Sequence, residues 1–261
     1  MFKTENNKCY QMPAHFGGYV YQPVETCYHD VVNMGFTYAT DGALLSDYIP
    51  EGFELLRPEI SIGFSQCREV DWMAGAAYNL IDVSVPVRFN GRRDKVEGSF
   101  SLVVWENKTA PILTGREQTG VAKIYADIED LHILGSKRFT AASYEGNTFL
   151  RLEITAGEPV KDDASPMESV SVNAMHWRYI PKVGGPGADL SQMILFPQRV
   201  EARKILRGSG KVQWTALCYE QCPTQAHIIQ ALAGLPIMEL LAAEIMYGEI
   251  FLIASQARVL E

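Results

Sequence analysis

Runs of alternating or continuous β-branched and aromatic residues recur along the chain: YHDVVNMGFTYAT, LRPEISIGFSQC, IDVSVPVRFNG, GSFSLVVWENK, FTAASYEGNTFLRLEITAGE, SVSVNAMHWRYIPK and KVQWTALCYE. Each is bounded by Gly, Pro, Asn or Asp, so the pattern predicts strands joined by turns in an antiparallel, β-rich fold. Three segments read as helices instead. They are TDGALLSDYI with Thr40 or Asp41 as N-cap, ADIEDLHILG, and the C-terminal LPIMELLAAEIMYGEIFLIASQARVL. ARKILRGSGKVQW reads as strand, glycine-rich turn and strand, while GEPVKDDASP and KVGGPGADL read as polar loops. No repeat or low-complexity tract divides the chain, so one domain over residues 1–261 is expected, a β-barrel or sandwich with helices outside it.

The composition fits a folded chain with room for an internal site: 261 residues, 47% hydrophobic and 21% charged. A net charge of −8 argues against nucleic acid or an anionic membrane as the main partner, leaving a small molecule. The N-terminus has no apolar signal core, and Glu239, Glu244 and Glu249 break the longest late apolar run, so a cytoplasmic protein is expected. Five scattered cysteines make no disulfide framework. Cys218 and Cys222 lie in a C-x3-C spacing without histidines at zinc-ligand spacing, so no metal site is predicted.

RGSGKV is not a phosphate loop, because Ile205 stands where the first glycine belongs and Val212 follows Lys211. No G-x-S-x-G elbow occurs. His176, in AMHWRY, reads as a core histidine or a cavity wall rather than a base. Lys123 differs from most of the other lysines, such as Lys95, Lys137, Lys161 and Lys204, which lie beside charged or loop residues: Val121 and Ala122 precede it and Ile124 and Tyr125 follow. Periodicity alone also allows a packed stem with its head in water. A desolvated amine, however, loses its proton more readily and can attack a ketone to form an imine, an electron sink for the adjacent carbon.

The residues resemble the acetoacetate decarboxylase-like family. Gly115-Arg116-Glu117 followed six residues later by Lys123 is similar to the family's GRE and lysine, and PVRFNG (86–91) resembles its upstream strand and turn. YATD (38–41) and LPIMELLAAEIMYGEIFL (235–252) resemble its N-terminal strand end and C-terminal helix. The resemblance implies a cone-shaped antiparallel β-barrel with flanking helices, an α+β fold, an interior site, a homo-oligomer, no cofactor, and Lys123 as the Schiff-base lysine. It also exposes departures. Ile124 stands for the family's second lysine, Ala122 for its proline, and Val31 and Leu80 near its pocket arginine and glutamate.

The expected activity is therefore a lyase on a small oxo acid such as pyruvate, by aldol condensation and dehydration, with acetoacetate-type decarboxylation and a non-catalytic ligand-binding barrel as alternatives. Lys123 is the expected nucleophile, with Glu244 and Tyr247, on one face of the expected helix, as proton shuttles. Arg116, Gln118 and Tyr78 are the expected substrate-binding residues.

Overall fold

The computed structural model describes residues 1–20, 24–161 and 166–261. The described elements run as a short antiparallel pair, β1 (Lys8–Cys9) and β2 (Tyr19–Val20), then β3 (Glu25–Ala39), α1 (Gly42–Ser46) and β4 (Phe53–Leu55). There follow β5 (Glu59–Val70), β6 (Tyr78–Asn90), β7 (Lys95–Glu106), α2 (Thr109–Thr114), a π-helical turn (Gly115–Thr119) and β8 (Lys123–Tyr125). The second half comprises β9 (Asp127–Ile128), β10 (His132–Leu134), β11 (Lys137–Tyr144), β12 (Asn147–Lys161), β13 (Glu168–Pro181), β14 (Ala188–Trp214), α3 (Ala226–Gly234), β15 (Glu239–Ile253) and β16 (Arg258–Val259).

The long strands close on themselves. β14 pairs with β13, β13 with β7, and the path continues through β6, β5 and β3 to β15, which pairs back onto β14. Every step is antiparallel except the short β13–β7 contact. This β-rich α+β arrangement is the expected fold class.

Because strand side chains alternate between faces, each ring strand is divided lengthwise. Met34, Phe36 and Tyr38 on β3, Ile60, Ile62 and Phe64 on β5, and Ile81, Val83, Val85 and Val87 on β6 point outward into one buried cluster. Phe149, Leu150 and Leu152 of β12 and Ile229 and Leu232 of α3 close that cluster from outside. The alternate positions, among them Asn33, Gly63, Ser65, Asp82, Ser99 and Ser101, face a cavity inside the ring. The main core therefore lies outside the ring, and the inside is left open, its polar groups set among apolar ones such as Leu80, Val104, Phe196 and Met246.

α1 forms where the cap predicts: Asp41 accepts from the backbone N–H groups of Ala43 (2.8 Å) and Leu44 (3.1 Å). The other two expected helices are strands. ADIEDLHILG supplies β9 and β10, which pair with β11. The C-terminal segment is β15, hydrogen-bonded by β3 on one side and β14 on the other, so closure of the ring overrides its helix-favouring composition. RGSGKV is no turn either; it runs straight through the 27-residue β14. Its glycines permit close approach, since a Cβ at Gly208 would lie 2.1 Å from the Thr155 carbonyl oxygen and one at Gly210 2.6 Å from Ala243 Cβ. KVGGPGADL is the turn between β13 and β14, closed by Lys182 N–H donating to Gly187 O at 3.0 Å. GEPVKDDASP is strand through Lys161, and residues 162–165 of it lie outside the described residues. α3, which periodicity did not single out, buries Ala226, Ile229 and Leu232. No helix among the described residues is long and apolar enough to cross a membrane.

The division of faces makes a paired prediction. Phe64→Ala, which empties a fully buried outward site, should cost about 3–5 kcal/mol in urea unfolding. Ser99→Ala, on the cavity wall, should stay within about 0.5 kcal/mol.

Candidate active site

The cavity inside the ring has a volume of about 1460 Å³, enough for a small substrate and a second reactant. Lys123 enters it from β8. That strand lies parallel to β7 with Lys123 opposite Val104, so Glu106, two residues along β7, shares the inward face. The Lys123 Nζ lies 2.7 Å from Glu106 Oε1, and the Glu106 side chain has no exposed surface. The amine also donates to the Pro111 carbonyl of α2 at 3.2 Å. Burial holds the Glu106 carboxyl above the usual carboxylate range, and the Lys123 charge acts against that rise. Beyond that ammonium, neither Glu106 oxygen has a partner among the described residues.

The π-helical turn shapes the cradle. A Cβ on Gly115 would come 2.5 Å from Lys123 Cδ and 2.9 Å from Nζ, so glycine is what lets the lysine stem pass. At the other end Gly120, at φ +67°, packs on Arg178, and Arg178 Nη2 donates to Glu117 O. Arg178 and His176 project from β13 into the cavity. His176 is buried, both its ring nitrogens lack a partner among the described residues, and burial reinforced by the Lys123 charge pulls its pKa down to about 3. It is a neutral imidazole at pH 7. Asp82, on the β6 wall, is pushed up to about 6 by burial, against the opposing effect of the Ser101 and Ser84 hydroxyls.

The sequence candidates fall into three places. Tyr78 is buried in the cavity wall and donates to the Tyr28 hydroxyl at 3.3 Å, which also accepts from Trp72 Nε1 at 3.1 Å. Burial keeps both phenols protonated, Tyr28 at about 12 and Tyr78 well above its ordinary value. Gln118 lines the outer part of the cavity, where its amide donates to Tyr19 of β2. Glu244 lines it too, 3.5 Å from Arg207 Nε, with its side chain 43% exposed.

Arg116 and Tyr247 do not line the cavity. Arg116 is exposed and donates to the Lys123 backbone carbonyl at 2.9 Å, so it braces the strand that carries the lysine. Tyr247 packs against the outer core. The shared helical face expected for Glu244 and Tyr247 disappears because β15 is a strand, in which residues three apart point to opposite sides. Of the departures from the family pattern, Leu80 lines the cavity, Val31 is fully buried beside Tyr28 and Tyr78, and Ile124 packs against the outer core.

Sequence reasoning did not single out Glu106, Asp82 or Arg178, and it set His176 aside. Glu106 closes the apolar run FSLVVWE, but Asn107 and Lys108 follow it, so the two-sided criterion that picked out Lys123 meets it on one side only. Among the described residues the one convergence of three metal-ligand side chains, Cys27, His29 and Glu249, is not part of the cavity lining.

Two outcomes follow from this geometry. Gly115→Ala should push the lysine stem aside and, as an overpacked site, cost about 1–3 kcal/mol in urea unfolding while the far-ultraviolet spectrum is unchanged. For Asp82, a folded pKa of about 6 against about 3.9 when unfolded means that the folded chain holds the extra proton between these values. Stability is then lost as pH rises through that window. Asp82→Asn should flatten the dependence and raise stability at pH 8 in denaturant titrations; a variant less stable at pH 8 would show that the carboxylate is stabilised there.

The family model described as acetoacetate decarboxylase (ADC) matches residues 11–249. A sequence comparison with curated proteins finds no match. Among solved structures, the chain is similar to acetoacetate decarboxylase from Legionella pneumophila subsp. pneumophila str. Philadelphia 1, at 17% identity and a TM-score of 0.74, covering 94% of this chain and 92% of that one. It is also similar to the enduracididine biosynthesis enzyme MppR complexed with the condensation product of pyruvate and imidazole 4-carboxaldehyde, at 15% identity and a TM-score of 0.72, covering 98% and 97%. An acetoacetate decarboxylase-like enzyme from Sphingomonas wittichii RW1 matches at 19% identity and a TM-score of 0.67, covering 92% and 94%. With nearly its whole length matched by the family model, the chain belongs to the acetoacetate decarboxylase family.

Proposed function

We propose that the chain is a lysine-imine enzyme that joins a small 2-oxo acid of the pyruvate type to an aldehyde by aldol condensation and dehydration. The observation that carries this reading is the 2.7 Å contact between Lys123 Nζ and the fully buried Glu106 carboxyl, inside a cavity whose wall also holds Arg178.

Proton transfer from the Lys123 ammonium to Glu106 gives a neutral amine beside a neutral acid, a form that burial favours over two charges. The amine adds to the ketone carbon. Glu106 then returns the proton to the departing hydroxyl, water leaves, and an iminium remains beside the Glu106 carboxylate. Arg178 supplies the guanidinium for the substrate carboxylate, the role expected for Arg116, whose head lies outside the cavity. Held there, the carboxylate stays attached, and the methyl group loses a proton to give an enamine that attacks the aldehyde carbon. The Glu106 carboxylate left beside the iminium takes that proton and passes it to the departing hydroxyl, and His176, neutral and without a competing partner among the described residues, donates its ring N–H to that oxygen. Tyr78 and Gln118 offer neutral donors for the aldehyde oxygen. Glu244 is proposed as a relay at the cavity's outer part, and Tyr247, on the far side of β15, acts by supporting that strand. That the similar MppR structure contains a condensation product of pyruvate supports the reading.

A second reading has its own observation. The buried Glu106 would repel a substrate carboxylate placed on its side of the imine, which favours loss of carbon dioxide from a 3-oxo acid.

Borohydride added with pyruvate should fix the acid to Lys123, located by peptide mass mapping, and Lys123→Arg and Lys123→Ala should abolish trapping without unfolding the chain. Trapping at another lysine would overturn the assignment. Pyruvate with an aldehyde should give a conjugated 2-oxo acid, followed by ultraviolet absorbance, and Arg178→Leu should raise the KM for pyruvate by roughly 10–100-fold, the loss of one charge-assisted contact. Rapid carbon dioxide release from acetoacetate with no condensation product would establish the second reading instead.

A further inference from the structure

We propose that Cys27, His29 and Glu249 bind a divalent transition-metal ion of the zinc class, at a site on the β3–β15 pair separate from the Lys123 cavity. Each residue contributes one ligand atom, and the three atoms lie within 4.8 Å of one another. Cys27 Sγ and His29 Nδ1 are 3.3 Å apart. Donors around a tetrahedral zinc ion, bound at about 2.0–2.3 Å, stand roughly 3.3–3.8 Å from each other. Cys27 and His29 already meet that spacing, and only the Glu249 side chain has a short distance to close.

The backbone explains the convergence. Tyr28 pairs with Ile250 and Val31 with Gly248, so His29 and Asp30 lie opposite the single Glu249 in a bulge. A bulge re-aims side chains and interrupts the ladder. Here it turns His29 and Glu249 toward Cys27, while the neighbouring Thr26, Tyr28, Ile250 and Leu252 line the cavity.

A carboxylate behind the histidine completes the arrangement. Asp71 Oδ1 lies 2.8 Å from His29 Nε2, and Asp71 Oδ2 accepts from the Cys27 backbone N–H at 3.0 Å. With the ring proton held on Nε2 by Asp71, the Nδ1 lone pair faces Cys27 Sγ. Such a carboxylate fixes the tautomer and orientation of a ligating histidine. The Cys27 thiol gives up its proton to solvent as the metal–sulfur bond forms. Thiolate and Glu249 carboxylate then balance the two positive charges.

Arg199, a cation whose charge reaches Cys27, is already engaged: Nη2 lies 2.7 Å from Glu25, Nη1 contacts Glu201, and the guanidinium stacks on Phe251. With the His29 side chain 47% exposed, an ion can enter from solvent and keep water as its fourth ligand. One sulfur and one imidazole among the donors select zinc, cobalt or nickel over magnesium and calcium.

The test is titration of the metal-free full chain with Co²⁺ and then with Zn²⁺. One equivalent of Co²⁺ should give a thiolate-to-cobalt charge-transfer band in the near ultraviolet, displaced by Zn²⁺ and absent in Cys27→Ser. His29→Ala and Glu249→Gln should weaken binding, and Asp71→Asn should weaken it roughly 10–100-fold with the circular dichroism unchanged. Because these residues are off the cavity, Cys27→Ser should leave imine trapping at Lys123 intact. No band at one equivalent, or a band that survives Cys27→Ser and so arises from Cys218 and Cys222, would overturn the proposal. Unchanged affinity in both Glu249→Gln and Asp71→Asn, the two mildest substitutions, would do the same.

Discussion

A carboxylate with no exposed surface must have a cation within hydrogen-bonding distance or give up its charge, and around Glu106 that requirement organises the site. Lys123 meets it only because β8 lies parallel to β7 in one register and because the turn between α2 and β8 carries glycine where the lysine stem passes. Arg116 braces the same strand from outside through the Lys123 carbonyl, and Thr119 Oγ1 and Val121 N–H both close on the Gly115 carbonyl, at 2.9 and 3.1 Å. The GRE turn therefore acts as a mount for the amine.

The pair persists because the ring around it has its core on the wrong side for a simple barrel. Apolar side chains point outward into a layer closed by β12 and α3, which frees the inward positions from packing. The inside mixes polar groups with apolar ones, and the chain can place ionisable groups there without emptying its core. Burying them is costly where they lack partners, as at His176 and Asp82 Oδ1, and such orphaned atoms concentrate where a ligand would supply the missing bonds.

Two kinds of information were legible in the linear chain. Strict alternation, as in NMGFTYA and ISIGFSQ, marks strands with one apolar and one small or polar face, and local capping chemistry placed α1 by Asp41. Lys123 stood out because four small or apolar neighbours flank it, a signal that needs no partner to be seen. Where local composition and tertiary pairing disagreed, pairing won. The helix-favouring run LLAAEIMYGE became β15 because two ring strands bond to it, and with it went the expected face shared by Glu244 and Tyr247.

The sequence by itself determined a β-rich chain, the period-two division of its strands and the apolar setting of Lys123, because each of these is a property of near neighbours. Only the tertiary structure decided which ionisable side chains share the cavity with that lysine. Glu106 is 17 residues before it and His176 and Arg178 more than 50 after it, and their meeting depends on strand register across the ring. The same holds for Cys27, His29 and Glu249, whose third member arrives through a bulge more than 200 residues along the chain. Spacing along a chain carries local conformation; the closure of a sheet, which no local window contains, fixes which side chains share a volume.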